Sequence, residues 1–191
     1  MGKNSKKERL IQAAIKLFAK QGYHNTTVAE IADEAGVAKG TVYWYFDSKE
    51  QLFWGIIVSG IELLNEKLVR EAQIPNKTAI KKLKTIIRSH LDFFKESKNI
   101  VKMIQDSSVT PDKHFNKKIH KLRKESIDNL SKIIKEGQEG DEFVIDIESE
   151  ELANFILGSI GGSYNPSVYK LEDVEETTDL ILKIMLSGIK A

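Results

Sequence analysis

A chain of 191 residues, 41% hydrophobic and 30% charged with a formal net charge of +1, can bury a real core in one large or two small domains. That balance excludes a disordered chain, and no uninterrupted apolar run approaches the length of a membrane span. The basic start lacks an apolar signal segment and there is no cysteine, so the expectation is a cytoplasmic protein without disulfides, thiolate metal sites or membrane contact.

The near-neutral total hides an asymmetry. Residues 1–50 carry 8 basic against 6 acidic side chains, residues 51–135 carry 18 against 9, and residues 136–191 carry 3 against 13. The acidic C-terminal end is therefore excluded as a surface for a polyanion. At the other end, Lys3, Lys6, Lys7 and Arg9 form an arm that can follow a phosphate backbone or simply lie solvated.

The first helix is predicted from a Ser5/Glu8 capping box to about Lys20, ended by Gly22, with Leu10, Ala13, Ala14, Leu17 and Phe18 on one face. Thr27, with Glu30 three residues on, opens a second helix whose small apolar face is Ile31, Ala32 and Ala35. Gly36 supplies the left-handed backbone that stops it. After a turn at Val37, a third helix runs from Ala38 to Tyr45, bounded by the Ser48/Gln51 cap of the next one. Two short helices joined by a tight turn are helix-turn-helix grammar. Tyr23 and Val28 complete a small core with the first helix, so that burial rather than intrinsic propensity holds the third helix at its angle.

That third helix is crowded with groups a groove-reading helix needs. Lys39 can reach guanine O6 or N7, Gly40 permits close approach, Thr41 and Tyr43 can meet a base edge or a thymine methyl, and Trp44 and Tyr45 add further hydrogen-bond donors. Lys49, opening the following helix, is placed for a phosphate. The same spacing also suits an ordinary packed helix pair.

The run Gly36-Val37-Ala38-Lys39-Gly40-Thr41-Val42-Tyr43-Trp44-Tyr45-Phe46, followed by Ser48-Lys49-Glu50, resembles the DNA-binding signature of TetR-type transcriptional regulators. The resemblance covers about the first fifty residues. It implies that Lys39, Gly40 and Tyr43 approach bases, that Thr27, Trp44, Tyr45 and Lys49 lie along phosphates, and that Phe46 is core. Two departures weaken details: Ala38 stands where a capping serine or threonine is frequent, and Asp47 where a neutral or basic residue is frequent.

From Ser48 a long helix is predicted to about Gln73, with a stripe of Leu52, Phe53, Ile56, Ile57, Ile61, Leu64 and Leu68, and no linker separates it from the motif. The next starts at Asn76 to Thr78 and runs to about Glu96 with Ile80, Leu83, Ile87, Leu91 and Phe94 inward. A shorter one spans about Asn99 to Ser107. Thr110-Pro111-Asp112 then turns into a helix to about Glu136. These helices can surround a pocket lined by His90, Phe94, Met103, Phe115 and Ile119. The basic run Lys113, Lys117, Lys118, Lys121, Arg123 and Lys124 is either a solvated face or an attractor for an anionic head group such as the phosphates of an acyl-coenzyme A. His114 and His120 do not share a helix face, so no metal site is expected.

Gly137, Gly140 and residues 141–147 read as a loop with a short extended piece at Phe143-Val144-Ile145. A helix from Ser149 carries Leu152, Phe155, Ile156 and Ile160, and Gly158, Gly161 and Gly162 suggest close backbone approach or a loosened last turn. The last helix, about Leu171 to Ile189, is apolar around nearly its whole circumference through Leu180, Ile181, Leu182, Ile184, Met185, Leu186 and Ile189. Such a helix needs cover on more than one side, and a second copy of the chain can provide it. The family resemblance implies a homodimer through the two C-terminal helices.

No phosphate loop, nucleophile elbow or paired histidine–carboxylate motif occurs, so no catalytic residues and no cofactor are expected. The expectation is an all-α chain, with residues 1–47 a helix-turn-helix DNA-binding domain and residues 48–191 a helical ligand-binding and dimerisation domain. It would be a repressor released from a palindromic operator on double-stranded DNA by a small apolar or amphipathic effector. The alternative is a helical small-molecule-binding protein or enzyme whose helix-turn-helix is structural only.

Overall fold

The structure, a computed structural model, describes residues 5–107, 109–143, 147–163 and 173–189. Among these, every regular element is an α-helix: α1 (Lys6–Asn25), α2 (Val28–Ala35), α3 (Lys39–Tyr45), α4 (Lys49–Ala72), α5 (Ala79–Glu96), α6 (Lys98–Gln105), α7 (Lys113–Glu139), α8 (Ser149–Ser163) and α9 (Val174–Ile189). Lys3, Leu171 and most of the extended piece expected at Phe143-Val144-Ile145 lie outside the described residues. Contacts divide the chain into two compact units, Met1–Gly60 with Ser97–Lys118, and Ile61–Glu96 with Ile119–Ala191.

In the first unit, local signals set the helix ends. Ser5 Oγ accepts the Glu8 N–H at 3.2 Å while the Glu8 carboxylate accepts the Ser5 N–H at 2.9 Å, and Thr27 and Glu30 form the same reciprocal box. Gly22 leaves helical geometry at φ 81°, breaking α1 one turn before its end. Gly36 ends α2 at φ 64°, ψ 44°, and the Val37 N–H reaches the Ala32 carbonyl at 3.0 Å. Leu10, Ala14, Phe18, Ile31, Ala32, Val42, Leu52 and Phe53 are buried. Phe53 sits edge-on to Phe18 and Tyr23, with ring centroids 5.7 and 5.1 Å away. The first residues of α4 thus belong to the core that supports α2 and α3. Packing does not divide the chain at residue 47, where a functional boundary was expected, because Leu52 and Phe53 are part of that core. α6 packs on α1, and Met103 is its buried residue.

The second unit is built on α5, which packs against α8 and α9. Leu83, Ile86, Ile87 and Leu91 are buried along it. Its N-terminal amides are capped from far away: the Glu142 carboxylate accepts the N–H groups of Ala79 at 2.8 Å and Ile80 at 3.1 Å. Gly137 makes that approach possible, since a Cβ there would overlap the Phe143 ring and lie 2.8 Å from Ala79 Cβ. The buried Lys82 ammonium donates to Glu136 at 2.8 Å and to the Ala72 carbonyl at 3.2 Å, tying the end of α4, α5 and α7 together. On the outside, Lys84 pairs with Glu175 and Asp179, and Arg88 with Glu175, linking α5 to the start of α9.

Candidate nucleic-acid interface and ligand cavity

α3 is short, and its N-cap, Ala38, makes no side-chain cap bond, so what holds it is Val42, its buried residue, and the packing of α2 beside it. Fixing one face this way leaves the other in water. Lys39 and Gly40 are exposed, Thr41 and Tyr45 half-buried, Tyr43 49% exposed and Trp44 77% exposed. Trp44 stacks edge-on with Tyr45, ring centroids 4.5 Å apart, which leaves the indole on the solvent side without surrendering its orientation. Among the described residues no side chain fills the space over Gly40, so a backbone or base can approach it. Thr27 is exposed at the start of α2, its hydroxyl bonded to Glu30, and the Glu30 carboxyl is held below its ordinary range chiefly by the Thr27 backbone amide. Phe46 is half-buried, its ring 3.8 Å from where a Gly55 Cβ would stand.

Lys49 is half-buried at the start of α4. Its ammonium donates to the Tyr23 carbonyl at 2.8 Å and to the Thr26 carbonyl at 2.7 Å, and lies 4.2 Å from the Tyr23 ring centroid. The sequence contained part of this signal, a lysine at the positive end of a helix, where a cation is disfavoured unless it has a local partner.

In the second unit a cavity of about 350 Å³ is lined by Ile61, Leu64, Asn65, His90, Phe94, Ile119, Arg123, Ser126, Leu157, Gly158 and Gly161. Of the five residues singled out from sequence, His90, Phe94 and Ile119 meet here. Met103 and Phe115 belong to the first unit, where Met103 is buried and Phe115 packs edge-on to His114 at 5.5 Å. Sequence reading missed the polar corner: Asn65 donates to the Leu122 carbonyl at 2.9 Å, and the Ser126 hydroxyl bonds Asn65 Oδ1 across α4 and α7. It also missed the role of the α8 glycines. Among the described residues nothing stands within 4 Å of a Cβ at Gly158 or Gly161, and both line the cavity.

His90 is buried, and its Nδ1 bonds the Ile86 carbonyl at 2.9 Å; a carbonyl only accepts, so Nδ1 carries the proton and the neutral ring keeps Nε2 as an acceptor. Burial pushes its pKa down, the Ile86 bond opposes this, and the charge of Lys67 adds to the lowering. Outside, α8 and α9 leave Phe155 65%, Ile184 65% and Leu180 52% exposed. Among the described residues no helix is long and apolar enough to cross a membrane, and no group of three acidic or histidine side chains could hold a metal ion.

Comparison with known proteins gives a consistent picture. Residues 10–54 match the family described as bacterial regulatory proteins, tetR family, and residues 76–165 match the tetracyclin repressor-like C-terminal domain. The fatty acid metabolism regulator protein of Bacillus subtilis is 27% identical over 98% of this chain and 97% of its own. A solved structure from Clostridium perfringens, described as a candidate fatty acid metabolism regulator, is 30% identical with TM-score 0.76 over 96% of this chain and 99% of its own. The transcriptional regulator FadR of Bacillus subtilis, solved in complex with stearoyl-CoA, is 26% identical with TM-score 0.77, covering 95% of this chain and 98% of its own.

Proposed function

Because the chain belongs to the TetR family and is a DNA-binding transcriptional regulator, we propose that it is a dimeric repressor released from its operator by a long-chain acyl-coenzyme A. In this reading residues 1–47 read DNA and residues 48–191 bind ligand and dimerise, in the cytoplasm and without a catalytic role. Lys39, Gly40, Thr41 and Tyr43 meet base edges in a major groove, while Thr27, Trp44, Tyr45 and Lys49 lie along phosphates. The exposed face of Phe155, Leu180 and Ile184 is covered by a second copy, so that two α3 helices stand about 34–36 Å apart on a palindrome.

The observation that carries the ligand assignment is the cavity: an apolar channel of Ile61, Leu64, Phe94, Ile119 and Leu157 with one cation, Arg123, at its wall. Arg123 is the cation of α7 that reaches the cavity, and it can meet a phosphate. The stearoyl-CoA bound by one relative has both parts, a chain and a phosphorylated head. α4 supplies Phe53 to the core beneath the reading helices and Ile61, Leu64 and Asn65 to the cavity. A ligand that moves α4 therefore changes the separation of the two α3 helices.

The test is selection of bound duplexes from a random pool, followed by titration of the enriched duplex complex with stearoyl-CoA. The expected result is a palindrome with half-sites about one helical turn apart, and weaker DNA binding as acyl-coenzyme A rises. By linkage, the DNA-bound dimer must bind acyl-coenzyme A more weakly than the free dimer, by the same factor. Equal affinity in the two states would remove the release mechanism, and no enriched sequence would remove the repressor.

A further inference from the structure

His90 is only 8% exposed, and one of its ring nitrogens is in use: Nδ1 donates to the Ile86 carbonyl, one turn back along α5, at 2.9 Å. That bond turns the Nδ1 edge onto its own helix and Nε2 away from it. In the neutral ring Nε2 is purely an acceptor, and among the described residues it has no partner. The polar groups of α4 and α7 in the same cavity differ in this respect. Asn65 donates to the Leu122 carbonyl at 2.9 Å, and the Ser126 hydroxyl has both Asn65 Oδ1 and the Leu122 carbonyl as acceptors, so the protein satisfies them itself. A buried acceptor left without a donor costs free energy, and a ligand that brings the donor removes that cost.

Position decides which part of the ligand meets this nitrogen. Arg123 is exposed and marks the solvent side of the cavity, where a phosphate is met. His90 and Leu64 mark the inner side, since both also line a void of about 20 Å³ between α4 and α5, which has room for a water and nothing larger. The phosphorylated head lies toward Arg123, so what passes His90 is the acyl chain, with Ile61, Leu64, Phe94 and Leu157 around it. A saturated chain has no hydrogen to donate. We propose that the effector is an acyl-coenzyme A whose chain carries a hydroxyl group, and that His90 selects it by accepting that hydroxyl's hydrogen bond at Nε2. The proposal rests on the acyl-coenzyme A reading for the head group, while the donor requirement stands on His90 alone.

Two measurements on the full chain decide this. The first is calorimetric titration with stearoyl-CoA and with hydroxystearoyl-CoAs whose hydroxyl is set at successive positions from the thioester to the far end of the chain. At least one isomer is expected to bind about tenfold or more tightly than stearoyl-CoA, the discrimination that one unpaired buried acceptor supplies. His90→Gln, which keeps an acceptor near the place of Nε2, retains the preference, and His90→Leu abolishes it while binding stearoyl-CoA at least as well as the wild type. If no isomer exceeds stearoyl-CoA, or if the preference survives in His90→Leu, the proposal is overturned. The second is the imidazole nitrogen NMR spectrum of the wild type, free and with decanol or decane, probes that have no head group. Protonated Nδ1 in the free protein and an Nε2 resonance that moves with decanol but not with decane are expected. The opposite tautomer, or an Nε2 unmoved by decanol because a buried water already holds it, overturns the donor requirement. If no coenzyme A thioester binds while Nε2 responds to decanol, the acyl-coenzyme A reading fails and the proposal fails with it, leaving His90 as the selector of another hydroxylated ligand.

Discussion

A tryptophan 77% exposed on a seven-residue helix is an outlier for a residue that usually buries its ring, and its neighbour Tyr43 is 49% exposed. At this scale the reading of α3 is testable side chain by side chain. Lys39→Ala is expected to cost about 1–3 kcal/mol of operator affinity and to relax base preference at one position in each half-site, measured by competition among single-base variants of the selected duplex. His90 makes a prediction about pH. Burial holds its folded-state pKa below the ordinary value near 6.5, so the unfolded chain takes up the proton first as pH falls. The stabilising contribution of the neutral ring is complete above about 6.5 and is lost as pH descends towards the folded pKa. Urea midpoints between pH 7.5 and 5 are expected to fall more steeply for the wild type than for His90→Asn. Parallel slopes would show that the imidazole is not held neutral by the fold.

Among the elements, two glycines separate packing from propensity. A Cβ at Gly137 collides with the Phe143 ring and approaches Ala79, whereas one at Gly158 meets nothing among the described residues. Gly137→Ala is expected to destabilise the protein by about 1–3 kcal/mol through overpacking. Gly158→Ala is expected to stabilise it by up to about 1 kcal/mol through helix propensity, while narrowing the cavity and weakening acyl-coenzyme A binding. Chemical denaturation of both variants checks the opposite signs. The capping of α5 by Glu142 gives a companion test, since Glu142→Ala removes the acceptor of two amides and is expected to cost about 1–2 kcal/mol. The boundaries of α1 to α3 were legible because Ser5/Glu8, Thr27/Glu30 and Gly36 act within three or four residues of their targets. The start of α5, read from Asn76 to Thr78, has a local acceptor in Thr78, which takes the Lys81 N–H at 3.4 Å, but nothing local indicates that a carboxylate 63 residues from Ala79 caps the two amides before it.

For the whole molecule, the proposed dimer rests on Phe155, Leu180 and Ile184, exposed apolar side chains of α8 and α9. Phe155→Glu with Ile184→Glu is expected to convert a dimer into a monomer in sedimentation velocity and to lower operator affinity steeply, because two half-sites are then no longer read together. A double variant that stays dimeric would place the interface elsewhere.

The sequence by itself determined the all-helical class, the helix-turn-helix, the residues presented by α3 and the apolar stripes, because each depends on periodicity or on contacts within one turn. Only the tertiary structure decided which distant groups converge. It joined Lys49 to two carbonyls at the end of α1, brought His90, Phe94 and Ile119 to one cavity wall without Met103 and Phe115, and made Gly158 and Gly161 part of that cavity's lining. The reason is that periodicity tells which side of a helix is buried, not what it is buried against. That choice belongs to long-range packing, where the partner can lie anywhere in the chain.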